Sequence, residues 1–254
     1  MGELRAYDRL KKSMDRMEEL KREGKLPWHD GLLWFFADGY ISVWSRGQRY
    51  ATVTPQKQKP IIKPLSEIQG GNVERQQQQS IALRYLPSRE NPLELCVLGV
   101  EFSIPKRLVP EKPETDLLVV DRVGKIIYLT EYKCNYNAVM QGKASLRKHY
   151  RDMKYIADHF ADEVRDDCAV CYRLYTQEEE TPDFSDYQIR IAFLFTDINR
   201  CVSARAVDGL NTLLDEVGRE DSQVLIWNFS DPASVDFSQL PQPIAGEGRF
   251  RFEV

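Results

Sequence analysis

Two consecutive apolar segments separated by a very short connection restrict the fold of this chain more than any other feature. They are TDLLVVD, which ends at Asp121, and KIIYLTEYK, which ends at Lys133. Parallel strands need a connection of a dozen or more residues, so these two segments are predicted to form an antiparallel hairpin. A loop centred between Val123 and Gly124 sets the register and places Asp116 opposite Glu131, with their Cβ atoms about 5 Å apart.

The polar residues at the open end of this hairpin are unusual for strands of this kind. Both segments are almost continuously apolar, which predicts burial on both faces of the sheet. Side chains alternate along a strand, so Glu131 and Lys133 share one face with Leu129. Two opposed carboxylates destabilise a hairpin unless something offsets their repulsion, and a divalent cation with oxygen ligands would do so. The alternative is a solvated strand end where Glu131 and Lys133 are ordinary surface charges.

The N-terminal part of the chain is predicted to be an accessory region. Residues 3–23 have the periodicity of an amphipathic helix, which would pack on the body of the protein or on a second subunit, so a homodimer stays open. Residues 31–54 are predicted to form a β-meander with turns at Asp38-Gly39 and Arg46-Gly47. Its dense aromatic residues would form a small core or stack on bases. The proline-rich residues 55–64 are interpreted as a linker.

The rest of the chain alternates helices and strands, which predicts an α/β fold with a mixed central sheet flanked by helices. Beyond the hairpin, we expect helices at 73–86, 137–164 and 204–217 and strands at 93–104, 187–197 and 223–229, with Asn72 and Gly218 as helix caps. We divide the chain into an accessory region at 1–58, a core with an α/β extension at 67–230, and an irregular tail at 231–254.

Composition excludes several classes of protein. A net charge of −4 argues against a protein that coats nucleic acid nonspecifically, but not against an enzyme that cuts it. No apolar run reaches the roughly 20 residues of a membrane span, so we expect no membrane partner. The charged start, MGELRAYDRLKK, does not look like a secretory signal, and five cysteines are an odd number, so we expect reduced thiols and a cytoplasmic location.

Common catalytic and metal-binding motifs are missing from the sequence. Cys168 and Cys171 form a lone CxxC without the further ligands of a zinc site, so we interpret them as half-buried thiols. The three histidines, His29, His149 and His159, have no metal-ligand spacing with a partner. No GxSxG, P-loop or GxGxxG is present, which removes the support for hydrolase, NTPase and dinucleotide-binding interpretations.

The order of elements and acidic residues resembles the PD-(D/E)xK nuclease superfamily, especially its RecB-like and Holliday-junction-resolvase-like branches. The residues that carry the resemblance are Pro113-Glu114-Thr115-Asp116 and Glu131-Tyr132-Lys133, preceded by a helix with an early acidic residue, Glu74. Two residues intervene between Pro113 and Asp116, which departs from a strict Pro-Asp motif. The resemblance covers roughly residues 67–200 and implies a restriction-endonuclease-like core.

This resemblance also implies roles for individual residues. Asp116 and Glu131 would hold Mg²⁺ or Mn²⁺, Lys133 would orient or activate water, and the carbonyl of Tyr132 would be a further ligand. Glu74 would contribute to the metal site, with Glu101 as a competitor, although acidic residues are favoured in the first turn of any helix.

The predicted helix after the hairpin carries a basic stripe formed by Lys143, Arg147, Arg151 and Lys154. Spacings of four, four and three residues place these side chains on one face, where they would bind a phosphate backbone or form a solvated surface. Gln141 and Tyr150 on the same helix resemble polar residues of RecB-like members.

Together these features predict a metal-dependent nuclease that hydrolyses phosphodiester bonds in DNA, with RNA as a less favoured substrate. The alternative is a catalytically inactive module of the same fold that binds nucleic acid or protein.

Overall fold

The predicted hairpin lies inside a six-stranded mixed sheet. The computed structural model describes residues 7–29, 32–37, 40–55, 61–63, 73–134, 145–197 and 204–244. The strands of the sheet are β5 (Leu95–Ser103), β6 (Glu114–Asp121), β7 (Ile126–Lys133), β8 (Gln188–Thr196), β9 (Leu225–Phe229) and the two-residue β10 (Gln242–Pro243). Their spatial order is β10-β9-β8-β7-β6-β5, with β7, β8 and β9 parallel and the other neighbours antiparallel. The α/β class with a mixed central sheet is therefore confirmed.

The register of β6 and β7 is the one that the loop predicts. The pairs run from Asp121 opposite Ile126 to Leu117 opposite Thr130. One further step in the same register places Asp116 opposite Glu131. The apolar residues of both strands are buried, as expected for strands that are covered on both faces.

Helices cover both faces of this sheet. Helix α2 (Val73–Arg84) packs against β5, β6 and β7, and helix α3 (Leu146–His159) contacts β6, β7 and β8. Helix α4 (Ala161–Thr176) contacts β5, and α5 (Ala204–Glu220) lies against α3. Asn72, the predicted N-cap of α2, lies outside the described residues.

The single long helix predicted for residues 137–164 is wrong. Within the described residues, α3 begins after the N-cap Ser145, whose hydroxyl accepts a hydrogen bond from the Lys148 N–H, and ends at His159. Phe160 has a non-helical backbone (φ −135°) and separates α3 from α4. The break lets both helices bury an apolar face against the same body, which one straight helix would not do. Residues 137–144 lie outside the described part of the chain.

The N-terminal region forms helix α1 (Tyr7–Arg22) and a second, antiparallel sheet. The strands of that sheet are β1 (Leu32–Ala37), β2 (Tyr40–Ser45), β3 (Gln48–Val53) and the two-residue β4 (Ile61–Ile62). Arg46 and Gly47 both have positive φ, 48° and 75°, as a two-residue hairpin turn requires. Leu10, Met17 and Leu20 are buried against the body of the same chain, which confirms that α1 packs there.

Three smaller predictions were wrong. Residues 55–64 are not simply a linker, because Ile61–Ile62 pairs with β3 and extends the small sheet. Gly218 does not cap α5, because the helix continues to Glu220. The tail after Asp231 is not wholly irregular: residues 232–234 form a 3₁₀ helix with a capping box at Asp231, and Gln242–Pro243 pairs with β9.

Three further observations bear on the predictions. The predicted domain boundary between residues 58 and 67 stays a prediction, and one apolar cluster contains residues from both sides of it, such as Val43 and Leu118. Cys168 and Cys171 are buried in α4 rather than half-buried. Among the described residues, no helix combines the length and apolar character that crossing a membrane requires.

Candidate metal and active site

A polar cavity of about 400 Å³ lies at the open end of the β6–β7 hairpin. Five carboxyl groups line it, against two cationic side chains and one histidine. Its lining residues are Glu74, Arg75, Gln78, Glu101, Glu114, Thr115, Asp116, Glu131, Lys133 and His149. The sequence prediction that Asp116, Glu131, Lys133 and Glu74 come together is therefore matched by the structure. The excess of carboxyl groups makes the cavity a region of negative potential that favours cations.

Asp116 lies where the two strands of the hairpin separate. Beyond the Leu117–Thr130 pair, side chains replace the backbone ladder. The Thr115 hydroxyl donates to the Thr130 carbonyl at 2.9 Å, and the Tyr132 N–H donates to Oδ2 of Asp116 at 2.9 Å. From α2, the Gln78 amide donates to the Asp116 carbonyl at 2.8 Å. These contacts hold the Asp116 carboxyl group in place and leave its second oxygen for another partner.

Glu131 and Lys133 are buried at the end of β7, where Glu131 is 1% exposed and Lys133 is 3% exposed. The Lys133 ammonium lies 2.7 Å from Oε1 of Glu131 and 3.2 Å from Oε1 of Glu74. The other carboxylate oxygen of Glu131, Oε2, is buried and has no hydrogen-bond partner among the described residues. One ammonium therefore faces three carboxyl groups, those of Glu131, Glu74 and Asp116, and a net negative charge stays buried if all three are ionised.

Burial and mutual repulsion perturb the pKa values of these groups. Burial raises the pKa of Asp116 to about 6, although the Lys133 ammonium and the Tyr132 N–H oppose the shift. Burial also raises the pKa of Glu131 well above its usual range, and repulsion by Asp116 adds to that effect. Burial alone would lower the pKa of Lys133, but Glu131, Asp116 and Glu74 outweigh it and raise that pKa. Perturbed groups of opposite charge that share a cavity are typical of functional sites.

His149 belongs to this site, although its spacing in the sequence does not predict a role there. Residues 146, 149, 150, 153 and 156 form the buried face of α3, so the imidazole points towards the sheet. Its Nε2 lies 3.2 Å from Oε1 of Glu131. Burial, aided by Lys133 and Lys148, lowers its pKa to about 3, so the ring is neutral at pH 7. The usable signal was its position on an apolar helix face, rather than its spacing from another histidine.

Tyr132 contributes to the site through its backbone. Its side chain points to the opposite face of the sheet, where the hydroxyl contacts Gln77 at 2.9 Å and Thr196 at 2.6 Å. In a β-strand, the N–H and C=O of one residue point to the same side. The N–H reaches Asp116, so the carbonyl faces the same side, as its predicted role requires.

The donor set fits a hard divalent cation, but the carboxylates are not arranged as a ready-made cage. Within the described ranges, no three His, Cys, Asp or Glu side chains are placed to hold a metal ion as they stand. The Lys133 ammonium is instead paired with Glu131 and Glu74. The fit rests on the Asp116 and Glu131 carboxyl groups, which line the same cavity, and on the buried Oε2 of Glu131, since carboxylate oxygens are the ligands that Mg²⁺ and Mn²⁺ prefer.

Of the other predicted site residues that the structure describes, Arg147, Arg151, Lys154 and Tyr150 do not line this cavity. Arg147 pairs with Glu216 of α5 at 2.8 Å, Lys154 pairs with Asp158, and Arg151 is exposed. Tyr150 is buried on the apolar face of α3 and does not line the cavity. Lys143 and Gln141 lie outside the described residues. Glu101 lines the cavity and pairs with Arg75 at 2.7 Å, so carboxylates from both β5 and α2 face the site.

No protein-family model matches this chain, and comparisons with curated proteins and with solved structures gave no match.

Proposed function

We propose that this protein is a metal-dependent nuclease that hydrolyses phosphodiester bonds in DNA, and that its six-stranded sheet is a restriction-endonuclease-like core. The observation that carries the proposal is the buried carboxyl group of Glu131, which lines the same cavity as Asp116 and has an oxygen without a hydrogen-bond partner in the described structure. Burying a carboxyl group whose oxygens are not all paired is costly, and a fold keeps such a group mainly where function requires it.

The proposed roles follow from where each side chain lies. Asp116 and Glu131 are the main metal ligands, and Glu74 and the Tyr132 carbonyl are the further candidates. Bound Mg²⁺ or Mn²⁺ lowers the pKa of water and stabilises negative charge on a phosphate. Gln78 and the Tyr132 N–H hold Asp116 in position.

Lys133 has two roles in this proposal. Without a metal, its ammonium is the counter-ion of Glu131 and Glu74. A divalent cation held by the carboxylates would replace the ammonium as their counter-ion, and Lys133 would then be available to contact a substrate phosphate. A fixed positive charge that meets the developing negative charge lowers the barrier to hydrolysis.

One observation favours a second candidate function. The Lys133 ammonium already pairs with two of the carboxylates, so the site is partly neutralised without a metal. A module of the same fold that binds nucleic acid or protein without cutting would look the same. The two candidates differ in whether the protein cleaves DNA in the presence of a divalent cation.

Cleavage of end-labelled DNA tests the proposal directly. Linear duplex, branched and single-stranded DNA, with an RNA strand for comparison, are incubated with excess protein in Mg²⁺, Mn²⁺ or EDTA. We expect the wild-type protein to cleave at least one DNA with a metal and none in EDTA, and Asp116→Asn to be at least about a hundredfold slower. Absence of cleavage on every substrate would favour the non-cutting module, and equal rates for both proteins would point to a contaminating nuclease.

A further inference from the structure

A second cavity, of about 360 Å³, adjoins the acidic site. It lies between the small N-terminal sheet and the end of β5, and it also involves the segment that joins β5 to β6. Glu101 and Glu114 line both cavities, so the two share a wall. Glu101 has a φ of 50°, a conformation that non-glycine residues rarely adopt and that concentrates at functional sites.

One side of this cavity is an aromatic surface of the small sheet. Tyr40, Ser42 and Trp44 alternate along β2 and therefore share a face, and Phe35 lies opposite Ser42 on the neighbouring strand. The Arg49 guanidinium lies over Trp44 at 5.1 Å from the ring centroid and over Tyr40 at 6.0 Å. Arg49 is exposed, so it can leave this position and make room for a flat ligand.

The charge of the second cavity is opposite to that of the acidic site. Four cationic side chains line it, Arg49, Lys106, Arg107 and Lys112, against the two shared carboxylates. Both carboxylates are paired: Glu101 lies 2.7 Å from Arg75, and Glu114 lies 3.7 Å from Lys112. A surplus of positive charge beside an aromatic surface suits a ligand that carries both phosphates and flat rings.

A buried hydroxyl group gives an independent indication of a ligand. Ser42 lines the cavity and is 3% exposed, and its Oγ has no hydrogen-bond partner among the described residues. A buried polar group without a partner costs free energy, and a ligand atom in the cavity would remove that cost. Base edges and sugar oxygens are suitable partners, because both accept or donate hydrogen bonds.

From these observations we infer that the second cavity binds an unpaired stretch of nucleic acid that leads into the acidic site. Its base lies against Tyr40 and Trp44, and the neighbouring phosphates lie near Lys106, Arg107 and Lys112. A duplex keeps its bases stacked inside and must flip one out to expose it, so an unpaired strand offers a base to a concave pocket at a lower cost in free energy. The claim that the strand leads into the acidic site rests on the proposed function. Binding of single strands by the second cavity does not depend on it and is tested separately.

Binding of a labelled single-stranded oligothymidylate by the full-length protein in EDTA tests the inference without cleavage. We expect Lys106→Glu with Arg107→Glu to weaken binding at least tenfold and to reduce the slope of log K against log salt by about 1.4, or about 0.7 for each lost phosphate contact. Tyr40→Leu should weaken binding about tenfold, and Tyr40→Phe should keep it near the wild-type value, because stacking needs only the ring. Ser42→Ala should weaken binding without lowering the melting temperature.

Lys12→Glu with Arg22→Glu is the matched control, because both residues are exposed on α1 and line neither cavity. This variant should bind within about threefold of the wild-type protein. An RNA strand is compared with the DNA strand, and a duplex of the same length should bind more weakly than either. The inference is overturned if the cavity variants and the control bind alike, or if duplex binds as well as single strand.

The outcomes separate this inference from the proposed function. If the cavity variants lose single-strand binding but the wild-type protein cleaves nothing, the second cavity is a binding site and the nuclease proposal fails. If the protein cleaves DNA through Asp116 and the cavity variants bind normally, the nuclease proposal stands and this inference fails.

Discussion

Lys133 is the residue whose charge best distinguishes an enzyme from a binding module. Lys133→Met keeps most of the apolar stem and removes the ammonium. If this charge stabilises the transition state, single-turnover cleavage should fall by about a hundredfold or more, while DNA binding stays within about twofold. Cleavage and binding are measured on the same preparations, with Mg²⁺ and with Mn²⁺.

Lys125→Met is the matched control for that substitution. Lys125 lies at the opposite end of the same hairpin, where it pairs with Asp186 on the surface. Its loss should change neither cleavage nor binding by more than about twofold, because a surface ion pair contributes little. If Lys133→Met cleaves as fast as Lys125→Met, Lys133 has no part in the reaction.

Asp116 makes the metal-free protein less stable at neutral pH. Its pKa is raised from 3.8 to about 6, so its protonated form is favoured in the folded state. The stabilising contribution of the protonated carboxyl group to the free energy of unfolding is fully present below about pH 4 and is lost as the pH rises through about 6. Asp116→Asn keeps an acceptor for the Tyr132 N–H but cannot ionise.

The free energy of unfolding in EDTA, measured by urea denaturation between pH 4 and pH 8, checks this expectation. Asp116→Asn should gain stability relative to the wild-type protein as the pH rises from about 4 to 7. We expect a gain on the order of 1–2 kcal/mol, less than the full shift because the carboxyl group is partly exposed. A stability difference that does not change with pH would show that Asp116 ionises normally in the fold.

At the scale of single elements, the sequence predicts the hairpin well because short-range rules determine it. The loop at Val123 and Gly124 sets the register, and the register sets which side chains face each other. Asp116, Glu131 and Lys133 were predicted together for that reason. Of the residues around them, Glu74 is predicted only through the family resemblance, and His149 and Gln78 are not predicted at all, because they come from helices whose placement depends on packing across the whole sheet.

The break between α3 and α4 illustrates the limit of periodicity. Apolar residues recur at helical spacing on both sides of Phe160, so the pattern predicts one helix. Whether such a segment bends depends on the surface that it must cover, which the local sequence does not contain. The second cavity is not predicted by local sequence for the same reason, because its lining residues in β2 and in the β5–β6 connection lie far apart along the chain.

The basic stripe of α3 is expected to contribute less to binding than its sequence spacing implies. Arg147 and Lys154 are paired with Glu216 and Asp158, so their charges are partly neutralised. Arg147→Glu with Arg151→Glu should weaken oligonucleotide binding by less than about threefold, against at least tenfold for the second-cavity variant. If both variants lose the same oligonucleotide affinity, the basic stripe is part of the main binding surface.

At the scale of the whole molecule, charge is separated rather than simply negative. The net charge of −4 conceals an acidic cavity and a basic one with a common wall. The acidic cavity suits a cation, and the basic cavity suits a polyanion. An enzyme that brings a metal ion and a phosphodiester together needs an acidic and a basic region side by side. The net charge of the chain reveals neither of them.

The central claim is that the buried carboxylates are kept for a divalent cation, and a thermal unfolding series tests it most directly. Melting temperatures of the wild-type protein and Asp116→Asn are measured in EDTA and across a titration of Mg²⁺ or Mn²⁺. At a tenfold excess over the dissociation constant, binding stabilises the folded state by about 1.4 kcal/mol, which is about 3–6 °C for a chain of this size. The wild-type protein should show this rise and Asp116→Asn should not, whereas identical responses of the two proteins would contradict the claim.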